Sequence, residues 1–273
     1  MGRNVALNPI AGLLAWLAVA YAAIWAGPIF FPIAGSTVSL AALLWKLVGA
    51  SIILLINLAL LRRHPGVAVL GLRPGADTFG LLIVGMLGGV LVVGLWLAAF
   101  HILVPFHLVG NTITVGELLA SGAIYLAGAL LEELAFRGHA LLRLKERYGT
   151  IVAVLLVSLA FGVLHLPGMT GMNAVKIIAL TGMCSSLFCL VYLASGSLWA
   201  AVGLHAGMNF MLHSILGAGG GRGPSLLKPV YEQSALASYD PAFWCFIIIL
   251  LAFDVGVVLI WARPQDTRPQ QSR

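Results

Sequence analysis

The strongest constraint on the fold is a series of long, nearly uninterrupted apolar runs. Each run holds roughly 17 to 28 residues, the length that a helix needs to cross a hydrocarbon core of about 30 Å. Lipid tolerates only helices or closed barrels, because every backbone polar group must find a partner within the protein. The runs do not alternate as barrel strands do, so they predict helices. They lie at residues 10–33, 38–61, 78–104, 117–142, 150–166, 174–194, 197–216 and 241–261.

We therefore expect an all-α, polytopic membrane bundle of about eight transmembrane helices. Residues 1–273 are expected to form a single integral-membrane domain, because no linker or internal repeat divides them. The composition agrees with this class: 61% of the residues are hydrophobic and only 9% are charged. A soluble globular domain has far more charge and less apolar content.

The net charge of +6 is explained by membrane topology. If eight spans are threaded with both termini on one side, most basic residues fall in loops on that side, whereas the opposite loops hold only Arg222 and Lys228. The positive-inside rule then makes both termini cytoplasmic, with membrane lipids rather than nucleic acid as the contacts. We expect a prokaryotic cell membrane. The basic residues on the cytoplasmic side are Arg3, Arg62, Arg63, Arg73, Arg143, Lys145, Arg147, Arg263, Arg268 and Arg273.

Ionisable residues inside an apolar run need a reason, because each costs at least about 2.5 to 3.5 kcal/mol at bilayer depth. Glu132 and Glu133 are neighbours on the fourth run, and adjacent helical residues point about 100° apart, so they are not expected to face one small site together. Glu133 and Arg137 are four residues apart, with the acid first, which favours an ion pair. Glu132 is then left to project into the bundle.

Two further helical pairs have the same spacing. Phe161 and His165 are four residues apart on the fifth run, and His205 and Asn209 are four apart on the seventh. Each pair therefore lies on one helix face. The distances of these residues from the expected cytoplasmic helix ends agree with that of Glu132 to within roughly two helical turns. The faces are thus available to converge.

These residue types are those of an enzyme that activates water. A carboxylate in a low-dielectric site can act as a general base toward water, and His165 could share or orient that water. His205 and Asn209 could donate hydrogen bonds to the oxyanion that forms on an attacked carbonyl. The sequence contains no serine elbow, no cysteine beside a histidine and no HExxH motif. The pattern favours an intramembrane peptidase.

Three stretches also carry a family resemblance: "EELAFRG", "FGVLH" and "HAGMN". They resemble the EExxxR, FxxxH and HxxxN motifs of the CAAX protease and bacteriocin-processing family, also called the Abi or Rce1-type family. The motifs occur in the family's order, the resemblance covers residues 125–212, and the family-like core extends over about 117–216.

The resemblance implies a bundle of eight helices with a cavity inside the bilayer that opens toward the cytoplasm. It implies that Glu132 and His165 activate water, that His205 and Asn209 form the oxyanion hole, and that Glu133 and Arg137 support the architecture. The substrate would be a peptide or a lipidated protein. Some members remove the last three residues of prenylated CAAX proteins, others process or confer immunity to small peptides, and the motifs do not separate these branches.

Several alternatives remain open at this point. A zinc enzyme is one, with Glu132, His165 and His205 as ligands, although we expect no cofactor. A non-catalytic scaffold or peptide-immunity protein could use the same cavity for binding, and His205 with Asn209 could simply join two helices. A transporter is disfavoured, because no paired discontinuous helices occur in corresponding halves. The sequence leaves the oligomeric state open.

Other polar and reactive residues are expected to lie outside the site. Asp254 is an intramembrane acid without an assigned role, and Lys46 on the second run is its only candidate partner. His139 is expected to flank the cavity mouth. We expect the remaining histidines near span ends to be interfacial, the cysteines to be apolar packing residues and the glycine run to be a flexible outer loop; these are His101, His107 and His213, Cys184, Cys189 and Cys245, and Gly219, Gly220 and Gly221.

Overall fold

The apolar runs form helices in the structure, a computed structural model that describes residues 9–30, 39–61, 70–73, 75–217, 224–231 and 239–261. The α-helices are α1 (Pro9–Phe30), α2 (Leu40–Leu60), α3 (Ala76–Leu103), α4 (Val115–Ala135), α5 (Leu141–Leu164), α6 (Gly171–Ser195), α7 (Leu198–Asn209) and α8 (Tyr239–Trp261). A π-helical segment follows α4 at Phe136–Ala140, and another follows α7 at Phe210–Ile215.

Among the described residues, five helical stretches are long and apolar enough to cross a membrane, fewer than the eight spans that the sequence predicts. They are Leu40–Leu60, Asp77–Leu103, Val115–Leu164, Gly171–Ser195 and Asp240–Trp261. The polytopic helical bundle is confirmed. The number of spans differs because some apolar runs form merged, divided or shorter helices.

The fourth and fifth runs belong to one helical stretch of 50 residues, Val115–Leu164. It is not straight: Gly138 (φ −72°, ψ −122°) and Gly149 (φ 81°, ψ 170°) leave the helical conformation inside it. A positive φ is readily adopted only by glycine, so Gly149 permits the break. The seventh run is divided between the 12 residues of α7 and the π-helical segment, so neither part is long enough to span. In the part of α1 whose side chains are described, the apolar helix is the shorter stretch Ala15–Trp25.

Helices α3 and α7 pack with their backbones in direct contact. A Cβ atom on Gly89 of α3 would lie 2.3 Å from the carbonyl oxygen of Leu204, and one on Gly203 of α7 would lie 2.2 Å from that of Leu82. Small residues allow such an approach between membrane helices. His205 follows Gly203 by two residues, about 200° around the helix, so the opposite face of α7 is available for the site.

Helices α2 and α4 pack side by side and run parallel, so later residues of α2 contact later residues of α4. Gly49 lies against Leu131, and the fully buried Asn57 lies against Gly138. The Asn57 amide donates hydrogen bonds to the carbonyl oxygens of Ile53 and Leu134, and its oxygen accepts one from the backbone N–H of His139. Asn57 thus supplies hydrogen bonds where α4 changes into the π-helical segment.

A two-stranded antiparallel sheet adds to the helices. Strand β1 (Phe106–Gly110) pairs with β2 (Leu227–Tyr231), with Phe106 opposite Tyr231 and Gly110 opposite Leu227. The sequence analysis did not predict this sheet, because each strand has only five residues and both lie in segments read as connections. The sheet joins the chain that leaves α3 to the chain that precedes α8.

Several sequence predictions concern residues outside the described part of the chain. These residues are Arg3, Arg62, Arg63, Arg222, Arg263, Arg268 and Arg273 and the glycine run Gly219–Gly221. The cytoplasmic placement of both termini and the flexible loop therefore stay predictions.

Candidate active site

The site begins at the C-terminal end of α4. The N terminus of this helix is fixed by a capping box, in which the Thr114 side chain accepts from the backbone N–H of Glu117 and the Glu117 carboxylate accepts in return from that of Thr114. At the other end, the predicted ion pair is present: Nε of Arg137 lies 3.3 Å from Oε2 of Glu133, and both side chains are fully buried. Arg137 itself lies on the π-helical segment.

Helix α6 and one aromatic residue of α5 complete the surroundings of Arg137. Its Nη2 donates to the backbone oxygen of Ser185 at 2.8 Å and to the Ser185 hydroxyl at 2.7 Å. The guanidinium carbon lies 5.0 Å from the ring centre of Phe161 and 5.4 Å from that of Phe188, within the range of cation–π attraction. Arg137 therefore joins α4, α5 and α6.

The imidazole of His205 lies between the two glutamates. Its Nδ1 is 2.9 Å from Oε1 of Glu133, a hydrogen bond, and its Nε2 is 3.9 Å from Oε2 of Glu132. The expectation that the adjacent acids cannot face one small site is wrong. The two nitrogen atoms of the His205 ring point in different directions, so Nδ1 can contact Glu133 while Nε2 lies near Glu132, although the two side chains leave α4 about 100° apart.

Glu132 differs from its neighbour in forming no hydrogen bond with the described residues. Its side chain keeps 15% of its exposure, whereas that of Glu133 keeps none. Oε2 of Glu132 is buried and accepts no hydrogen bond from the described residues. Its carboxylate is therefore available for a small polar molecule such as water.

His165 lies at the C-terminal end of α5 and is half-buried. Its Nδ1 is 2.8 Å from the backbone oxygen of Phe161. A carbonyl oxygen can only accept, so Nδ1 donates the proton and Nε2 of the neutral ring is left as an acceptor. The Phe161 ring lies 4.7 Å from the His165 ring and 6.0 Å from the His205 ring, centre to centre, and so lies between the two imidazoles.

Asn209 is the last residue of α7, one helical turn after His205. It is half-buried, and its carboxamide has no hydrogen bond with the described residues. The contacts thus join six predicted residues into one cluster: Glu132, Glu133, Arg137, Phe161, His165 and His205. Asn209 is connected to this cluster through its position on the helix.

Three supporting residues were missed from the sequence. Ser185 holds Arg137, Phe188 stacks on the His205 ring at 4.6 Å and 15°, and Asn57 bonds the π-helical segment. The only available signals were polar side chains within apolar runs, namely the serine pair in "MCSSLFC" and the lone asparagine in "LLINLAL". Neither stretch has a motif spacing.

The secondary candidates lie in other surroundings. Asp254 is buried and accepts a hydrogen bond from the Ser186 hydroxyl, so its partner is Ser186 rather than Lys46. His139 makes an edge contact with the Trp16 ring, 5.8 Å between centres. The three cysteines are free thiols. Within the described ranges, no three His, Cys, Asp or Glu side chains are grouped so that they could hold a metal ion.

The region that contains the cluster is also the region that a known family matches. Residues 114–211 match the family model of type II CAAX prenyl endopeptidase Rce1-like proteins. The Rce1-like match runs from the N-terminal cap of α4 to just beyond α7, and so includes all seven predicted site residues. The resemblance read from the three motifs is confirmed. No curated protein and no solved structure is significantly similar to the chain.

The Rce1-like match supports a CAAX-type intramembrane endopeptidase in general. Together with the apolar helices, it supports an integral membrane protein. Helices α1, α2, α3 and α8 lie outside the match, although α1 and α2 pack beside α4.

Proposed function

We propose that this protein is a glutamate-dependent intramembrane endopeptidase that removes the C-terminal tripeptide of prenylated CAAX-type proteins. The observation that carries the proposal is the difference between the two adjacent acids. Glu133 is fully buried, forms an ion pair with Arg137 and accepts a hydrogen bond from Nδ1 of His205, whereas the Glu132 side chain is 15% exposed and lies 3.9 Å from Nε2 of the same imidazole, too far for a hydrogen bond. Glu132 is thus free to act as the base.

In the proposed reaction, Glu132 takes a proton from water while the water oxygen forms a bond to the scissile carbonyl carbon. Nε2 of His165 is an acceptor and orients the second hydrogen of the same water. The carbon–nitrogen bond then breaks, and Glu132 returns its proton to the leaving nitrogen. The acyl product still holds the second hydrogen of the water, and it passes this proton to the new amine of the tripeptide, so the products are a C-terminal carboxylate and a tripeptide with a charged amino terminus. Atoms and charges balance without a redox partner.

His205 and Asn209 are the proposed donors to the oxyanion. The hydrogen bond to Glu133 places a proton on Nδ1 of His205. Nε2 of the same ring can donate only if it is also protonated, so the oxyanion hole requires the imidazolium form. The Asn209 amide, which no described residue engages in a hydrogen bond, supplies the second donor.

A lipidated peptide substrate suits this location, because a prenyl chain can remain in lipid while its peptide reaches polar groups between helices. We propose a prokaryotic cell membrane, cytoplasmic termini and a cavity open to the cytoplasm.

The decisive test is Glu132→Gln, which keeps the shape of the side chain and removes the base. We expect cleavage of a farnesylated CAAX peptide to fall by about 10²- to 10⁴-fold, the usual contribution of a general base. Products are identified by mass spectrometry, with an unprenylated twin and a panel of leader peptides as competing substrates. Glu146→Gln is the matched control, because Glu146 is an exposed acid that pairs with Arg143.

Cleavage by Glu132→Gln at the wild-type rate would refute the assigned base. Preferred cleavage of the leader peptides would refute the prenylated substrate. Elemental analysis with a chelator trial addresses the zinc alternative: activity lost on chelation and restored only by zinc would overturn the metal-free mechanism.

A further inference from the structure

Lys46 introduces a positive charge into a helix that is long and apolar enough to cross the membrane. It lies on α2, six residues after Leu40, or about 9 Å along the helix. Its ammonium group forms no hydrogen bond or ion pair with the described residues, and its side chain is half-buried. A charge inside a membrane is costly unless it has a counter-charge or faces a polar cavity. A bound anion would therefore stabilise the charged form of Lys46 at this position.

The end of this side chain lies against α4 at a glycine. A Cβ atom on Gly128 would lie 2.8 Å from Nζ of Lys46, 3.4 Å from Cε and 3.5 Å from Cδ. Gly128 thus leaves the space that the lysine occupies. Gly128 precedes Glu132 by four residues, so the two lie on nearly the same helix face, about 6 Å apart along the axis.

The separation of Lys46 from Glu132 suits a short peptide. The ammonium lies beside the helical turn that precedes Glu132, and the two side chains form no ion pair with each other. Three extended residues span at most about 10 Å. A peptide whose scissile carbonyl lies at Glu132 can therefore bring a carboxylate two or three residues further on to Lys46.

We propose that Lys46 binds the free C-terminal carboxylate of the substrate and thereby places the third peptide bond from the C terminus at Glu132. This inference rests on the proposed function, and it adds the residue that recognises the end of the chain. Every C-terminal tripeptide with a free end carries the charge of its terminal carboxylate. A lysine ammonium neutralises it and donates charge-assisted hydrogen bonds.

The test compares two farnesylated CAAX peptides of one sequence, one with a free carboxylate and the other with a C-terminal carboxamide. Wild-type protein should cleave the acid with a kcat/KM at least about tenfold higher, as expected for a charge-assisted hydrogen bond. Lys46→Met should bring the ratio of acid to amide close to one, and Lys46→Arg should keep most of it. Lys228→Met, which removes an exposed lysine on β2, should keep the wild-type ratio.

The same two peptides are then bound, without cleavage, to protein carrying Glu132→Gln, and affinity is measured by fluorescence anisotropy. Loss of the acid preference when Lys46→Met is added supports the carboxylate site even if the wild type cleaves neither peptide, an outcome that would refute only the proposed function. An unchanged preference in Lys46→Met, or an equal loss for both peptides, would overturn the proposal. Lys46→Gln replaces Lys46→Met if the latter does not fold.

Discussion

At the residue scale, the arrangement depends on how buried charges are paired. Glu133 accepts from His205 and pairs with Arg137, and Arg137 also bonds Ser185. Such a group is stable only as a set, because removing one partner leaves an uncompensated charge in a low-dielectric interior. Glu132, one position earlier, lies 3.9 Å from Nε2 of His205 and forms no hydrogen bond with the described residues.

We expect Arg137→Met to lower the free energy of unfolding by about 3 to 5 kcal/mol, because it leaves the Glu133 carboxylate buried without its cation. The double variant Glu133→Gln/Arg137→Met should be less destabilised than the sum of the two single variants. Denaturant unfolding in mixed micelles measures all three. Additive effects would contradict the pairing that the structure shows.

Sequence reasoning succeeded at this scale where spacing within one helix decided the outcome. The Glu133–Arg137 pair follows from a separation of four residues. The contact of His205 with both acids could not be predicted, because it depends on how α7 approaches α4, and helix approach is not encoded in the spacing of either helix.

At the scale of elements, the π-helical segment Phe136–Ala140 is the feature that orients the site. A π-helical segment inserts an extra residue into a helix and frequently marks a functional site. Here it follows the two glutamates directly, contains Arg137, and is bonded by Asn57 from α2. The position of the acids therefore depends on a helix outside the matched region.

We expect Gly138→Ala to reduce cleavage by at least about tenfold, because its Cβ would lie 2.4 Å from Oδ1 of Asn57 and displace the segment. Asn57→Ala removes the obstructing atom but also the hydrogen bonds. The double variant should therefore cleave faster than the product of the two single effects. Cleavage rates measured on correctly folded protein test this, and independent effects would contradict the contact.

The sequence predicted a helix through this region but not its interruption. Apolar periodicity reports that residues are buried, and a π-helical segment leaves that periodicity nearly unchanged. The same limit explains the missed sheet: β1 and β2 are five residues each and gain their hydrogen bonds from partners more than 100 positions away. Long-range pairing of this kind has no local signature.

At the scale of the whole molecule, the site depends on helices being held at fixed distances. Residues of α4, α5 and α7 form the reactive cluster, and α6 supports it from behind with Ser185 and Phe188. The glycine contacts set the distance between α3 and α7, the helix that carries His205. These contacts involve backbone atoms, so they cannot adjust by side-chain rotation.

We expect Gly89→Ala to destabilise the bundle strongly and to abolish cleavage, because the added Cβ would lie 2.3 Å from the Leu204 carbonyl oxygen and force α3 and α7 apart. Gly94→Ala is the matched control on the same helix, since a Cβ there has no atom within 4 Å. It should leave stability within about 1 kcal/mol and cleavage unchanged. Thermal unfolding and peptide cleavage measure both, and equal behaviour of the two variants would contradict this account.

The neighbouring serines of α6 have a mechanical consequence. Ser185 bonds Arg137 on one side, while Ser186, about 100° around the helix, bonds Asp254 of α8 on another. Rotation of α6 about its own axis would break at least one of these two hydrogen bonds. The two hydrogen bonds therefore fix the rotational orientation of α6, and the Phe188 ring stays stacked on the His205 ring.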